Sequence, residues 1–162
     1  MTKYQEIIAD LKVVDSSQAE RMEEEIDIML HKLKFLPREN FPKTVLLDQS
    51  SAFNPIISRL LEEKVKISGG QYITDLKDNP HVIILIQETE NLYAEISSLL
   101  QEELIKSSDA YTNNRIYIIH NKTFNQDDSS YLQDLEILSE IIQPKFFYFD
   151  RNGKDWVQFD MQ

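Results

Sequence analysis

Hydrophobic positions along this chain follow two rhythms. From Tyr4 to Leu36 they recur every three or four residues: Tyr4, Ile7, Ile8 and Leu11, then Met22, Ile26, Met29, Leu33 and Leu36. That spacing puts one apolar stripe on each of two otherwise polar helices. Asp15-Ser16-Ser17 interrupts the stripe and supplies cap residues for the second helix. From Thr44 onward, short continuous apolar runs alternate with helical patterns. Thr44–Leu47, Val82–Ile86 and Arg115–Ile119 read as strands covered on both faces, as in a parallel sheet. Pro80 cannot donate to a ladder and so marks where the middle strand begins.

Between these strands, Asn54-Pro55 reads as the N-cap and first position of a helix running to about Lys64. Thr89 caps a helix with Leu92, Tyr93, Ile96, Leu99, Leu100 and Leu104 inward. Ser129 or Ser130 caps a third, with Leu132, Leu135, Leu138, Ile141 and Ile142 inward, and Pro144 stops it. Phe146–Phe149 reads as an edge strand. Asn152-Gly153 gives a tight turn, and Trp156–Phe159 alternates like the returning strand of a hairpin. The alternation predicts a single α/β domain over residues 1–162. It is a three-layer, Rossmann-like parallel sheet of about four strands with helices on both faces, an N-terminal helical pair and a C-terminal hairpin.

Composition narrows the function. With 28 acidic against 17 basic residues the net charge is −11, which repels nucleic acid and anionic lipid. Cysteine is absent, so disulfide, thiol and Cys–metal chemistry are excluded. Residues 1–6 carry no apolar signal core, and no apolar run reaches membrane-spanning length; both point to a cytoplasmic protein without membrane insertion.

In open α/β sheets ligands gather beyond the carboxyl ends of the strands. That rule selects Asp48, Gln49 and Ser50 after the first strand, Glu88 after the second and His120 after the third. Asp48, Glu88 and His120 together would suit a hard or borderline cation; the plainer alternative is three solvated loop residues. The Asp48–Asn54 loop has no glycine, so neither a P-loop nor a dinucleotide fingerprint follows the first strand. Ser50-Ser51 lacks the flanking glycines of a nucleophile elbow. One histidine without a nucleophile argues against an enzyme. Asp127-Asp128-Ser129-Ser130 reads as a helix cap before it reads as a metal cluster. Met22, Ile26, Met29 and Leu33 either pack on their own domain or form a seam for a second subunit.

The order of pieces resembles a known family. A long helix from Glu20 to Leu36 precedes the strand Thr44–Leu47. A helix, Gly69-Gly70, Leu76–Ile84, Arg115–Ile119 and finally Tyr131–Phe147 with its Pro144 stop follow. This resembles the C-terminal lobe, with its linking helix, of ABC-transporter periplasmic solute-binding proteins of the vitamin B12, haem and iron-siderophore class. The resemblance implies a non-enzymatic lobe that serves in protein interaction or small-ligand binding. It implies no resident cofactor, and a metal chelate or tetrapyrrole as ligand. It also implies a homodimer or another protein partner covering apolar surface that a second lobe would otherwise hide, using the Met22, Ile26, Met29 and Leu33 seam.

Overall fold

A computed structural model describes residues 1–160. Its helices are α1 (Lys3–Val14), α2 (Ser16–Lys32), α3 (Arg59–Ile67), α4 (Leu92–Leu99), α5 (Glu103–Lys106), α6 (Asp109–Thr112) and α7 (Tyr131–Ile142). Its strands are β1 (Lys43–Asp48), β2 (Asn54–Pro55), β3 (Gln71–Tyr72), β4 (Val82–Ile86), β5 (Ile116–Ile119) and β6 (Trp156–Gln158). The sheet runs β2-β1-β4-β5-β6, with β3 also on β1. β3, β1, β4 and β5 are parallel; β2 and β6 are short antiparallel additions. The parallel α/β sheet is therefore present, with β4 as its fully covered centre, but its fourth parallel strand is β3 at Gln71–Tyr72 and not Phe146–Phe149.

Side-chain alternation divides the core. Leu46, Val82, Ile84, Tyr117 and Ile119 face α3 and α7. Val45, Leu47, Ile83, Leu85, Ile116 and Ile118 face α4, α5 and α6. A further layer lies outside α7. There Ile7, Ile8, Met22, Ile26, Met29 and Leu33 of the α1–α2 pair pack on Ile67, Tyr131, Leu135 and Phe147. The apolar seam of α2 is thus consumed by its own chain: Met22, Ile26, Met29 and Leu33 are all buried. It cannot also receive a second subunit without opening this layer, which corrects the interface expected there.

Several local expectations also differ. Asn54-Pro55 is not a helix start. Ala52 and Phe53 adopt left-handed backbone (φ 56° and 59°) and turn the chain back, so that Pro55 lies beside Leu47. Proline suits this edge position because no N–H is needed there. The cap of α3 is Ser58, whose hydroxyl accepts from the Leu61 amide at 3.2 Å. Thr89 does not cap α4 with its side chain, and Tyr93 and Leu104 are exposed. Ser130 is the N-cap residue of α7, as one of the two expected, but makes no side-chain cap bond; the side-chain cap is Asp127, on the 3-10 turn leading into the helix. Phe146–Phe149 is not a strand; the partner of β6 is β5. Glu140 explains this. Its carboxylate accepts from the Phe149 amide, the Arg151 amide (3.2 Å) and the Trp156 indole (2.9 Å), so the segment is tied down by a side chain in place of a ladder. Among the described residues no helix is long and apolar enough to cross a membrane.

Candidate functional site

The parallel strands β1, β4 and β5 end on one side of the sheet, and the loops that follow them meet there. Gln49 organises the meeting. It is buried in a short turn just after β1. Its carbonyl oxygen accepts from the amides of Glu88 (2.7 Å) and Thr89 (2.9 Å) beyond β4. Its amide group donates to the Thr89 hydroxyl at 3.1 Å and the Glu95 carboxylate at 3.4 Å. On the other side, Lys122 from the loop after β5 donates to the Glu88 carbonyl at 2.6 Å. The same loop is anchored to the approach of β6. The His120 and Asn121 amides donate to the Asp155 carbonyl (3.0 and 3.3 Å), and the Asn121 side chain donates to the Asp155 carboxylate at 2.5 Å.

Of the five side chains expected here, all lie on this rim, but they do different things. Gln49 is a clamp between loops. Asp48 accepts from the amide (3.0 Å) and hydroxyl (2.8 Å) of Ser50, so these two stiffen their own turn. The Glu88 side chain is exposed and His120 is half-buried. Among the described residues no group of three His, Cys, Asp or Glu side chains converges to hold a metal ion. Of the two readings of Asp48, Glu88 and His120, a cation site and three solvated loop residues, the cation site has no converging ligand set among the described residues. Thr89 and Lys122 belong to the strand-end loops that the topological rule selects, whereas Asp155, which anchors the loop after β5, lies outside them. No local pattern marks Asp155, because its partners lie 34 and 35 positions back in the chain.

A second polar network lies between α3 and α7. Lys64 is fully buried, and its ammonium donates to Asp134 at 2.8 Å and Asn125 at 3.0 Å. The ammonium also stands 5.2 Å from the centre of the Tyr131 ring. Burial pushes the Asp134 carboxyl above the usual carboxylate range, against the opposing pull of Lys64 and the Asn125 amide. Beside it, Tyr131 donates to Glu63 at 2.5 Å, and Glu63 also accepts from the amides that begin α1, Lys3 and Tyr4, at 3.0 Å each. This network fastens α1, α3 and α7 together, with Lys64 and Asp134 sealed from solvent at its centre. Two surface grooves, of about 500 Å³ beside α1, α2 and the start of α7 and about 610 Å³ below the end of α2, lie away from the rim.

No family model matches this sequence. No curated protein matches it either. Solved structures do. An ABC-transporter substrate-binding protein from Listeria monocytogenes EGD-e superposes with a TM-score of 0.66 at 14% identity, over 88% of this chain and 66% of its own. Helicobacter pylori CeuE with Ni(II) bound gives 0.65 at 18% identity, over 88% of this chain and 52% of its own. S. aureus IsdE complexed with heme gives 0.60 at 17% identity, over 86% and 63%. The likeness is one of fold, and the chain spans between about half and two thirds of the length of these structures. The expected resemblance to this class is borne out at that level.

Proposed function

We propose that the chain is a non-catalytic binding lobe whose carboxyl-end rim forms one wall of a site for a chelated metal or a tetrapyrrole. The observation that carries this reading is the Gln49 clamp, which locks the loops after β1 and β4 into one preorganised surface, with Lys122 tying in the loop after β5. The fold likeness supports the same surface, since ligands of open α/β sheets lie beyond the strand ends. A bare ion would find too few converging ligands here. A metal that arrives with its own chelating groups needs only one more, and the His120 imidazole suits iron or nickel. One wall gives fewer contacts than a closed cleft, so affinity in the micromolar range is expected. Absorbance titration with haem, a ferric chelate and a nickel(II) chelate tests the proposal. Saturable binding of one of them, weakened about tenfold or more by His120→Ala, is the expected result. No binding of any would refute it.

A second reading, a protein-interaction module, is favoured by the large apolar side chains left in solvent, Phe35, Ile57 and Tyr148 among them.

A further inference from the structure

The face of α2 that looks away from the protein is not built like an ordinary solvent face. Ile28 is 55% exposed, and Phe35, just past the helix end, is 83% exposed. They stand seven residues apart, Ile28 on the helix and Phe35 in the turn that follows it. Charge is segregated along the same line. On this face the first half exposes Glu20 and Glu24, with Arg21 already paired to Glu25 at 3.2 Å, while Glu23 and Asp27 turn toward α1; the stretch from His31 to Arg38 holds Lys32 and Lys34 and no carboxylate. The helix dipole favours that order of charges, but it gives no reason for exposed apolar side chains between them. The patch also extends sideways. Lys32 donates to the Phe146 carbonyl at 3.2 Å, which brings Phe146, 40% exposed, beside the end of α2.

We propose that this face pairs with the same face of a second copy of the chain, α2 against α2, antiparallel about a two-fold axis near Ile28. Charge complementarity selects the occupant. An isologous contact brings one patch onto itself, and only the antiparallel arrangement lays each acidic half on the partner's basic half. Ile28 meets its own counterpart, Glu24 comes opposite His31 and Lys32, and Glu20 comes opposite Lys34. A parallel arrangement would set like charges together. Area sets the strength. About an axis at Ile28, residues 24–32 of the two helices lie side by side over about 13 Å, and the turn carrying Lys34 and Phe35 lies on the first half of the partner's helix; together they bury at most on the order of 1,000 Å², the low end for a specific interface. Phe146 adds to that area, and a weak dimer, of micromolar to tens-of-micromolar affinity, results. The inner seam of α2 stays where it is, in the chain's own core.

Sedimentation equilibrium of the full chain in about 50 mM salt tests this. At roughly 100 µM the wild type sediments at twice its 19.1 kDa mass. Two charge-reversed chains, Glu20→Lys with Glu24→Lys and His31→Glu with Lys34→Glu, each associate about tenfold more weakly with unchanged circular dichroism. An equimolar mixture of the two forms the dimer again, because each reversed half then meets its complement. A monomeric wild type, a reversed chain that associates as well as the wild type, or a mixture that fails to recover would overturn the proposal.

Discussion

The network between α3 and α7 and the network at the strand ends both join distant parts of the chain through side-chain hydrogen bonds, yet they meet water differently. Lys64 and Asp134 are sealed from solvent, whereas Glu88, Thr89 and Lys122 are exposed and only the Gln49 clamp is buried. In the interior a charge without its partner is severely penalised, so the first network is committed to structure. At the surface water can substitute for a lost partner, so the second can give up a hydrogen bond to a ligand at small expense. The contrast separates a polar cluster that holds a fold from one that is free to serve as a binding wall.

The sharpest way to break the comparison is to treat both networks alike. Lys64→Met leaves Asp134 buried without its cation and is expected to destabilise by about 3–5 kcal/mol, read as a lower urea midpoint. Lys64→Met with Asp134→Leu removes both charges and recovers most of that loss, since apolar replacement of a whole buried pair is often neutral. Gln49→Ala should be milder globally, about 1–2 kcal/mol, while amide exchange quickens at Glu88 and Thr89, the two donors it releases.

A smaller effect concerns Glu136, which lies between the two regimes. Burial pushes its carboxyl up; hydrogen bonds from Arg151 oppose this and the nearby Glu25 carboxyl adds to it. A carboxyl raised in the folded state contributes stability that is full below its unfolded value and lost as pH rises through its folded value. Glu136→Gln keeps an oxygen for Arg151, which donates to it at 2.6 and 3.0 Å, and removes the charge. We expect the variant to equal or exceed the wild type by up to about 1 kcal/mol at pH 7. That advantage should vanish in urea melts at about pH 4, where the wild-type carboxyl is itself protonated.

Much of this architecture is legible along the chain. Val82–Ile86 and Ile116–Ile119 are continuous apolar runs that only a doubly covered strand explains, and the strand ends then locate Asp48, Gln49, Glu88 and His120. What the chain hides depends on tertiary partners. Gln49 bonds to amides 39 and 40 positions away, and no local pattern announces that. Asn54-Pro55 has the residues of a helix start, but the left-handed Ala52 and Phe53 redirect it. Lys64 occupies the apolar register of Leu60 and Leu61, three and four residues on, but its partner Asp134 stands 70 positions away, so the sequence shows only a helix end there. The Met22–Leu33 stripe was a true core signal, and the outer face of the same helix is the one left uncovered.

Hydrogen exchange of the full chain with and without haem tests the rim most directly. If the strand-end loops are a binding wall, haem slows exchange in residues 48–53, 87–91 and 120–123 and leaves the Lys64–Asp134 region unchanged. Haem that binds without protecting those loops, or that protects only the outer face of α2 or the grooves beside it, would contradict the account.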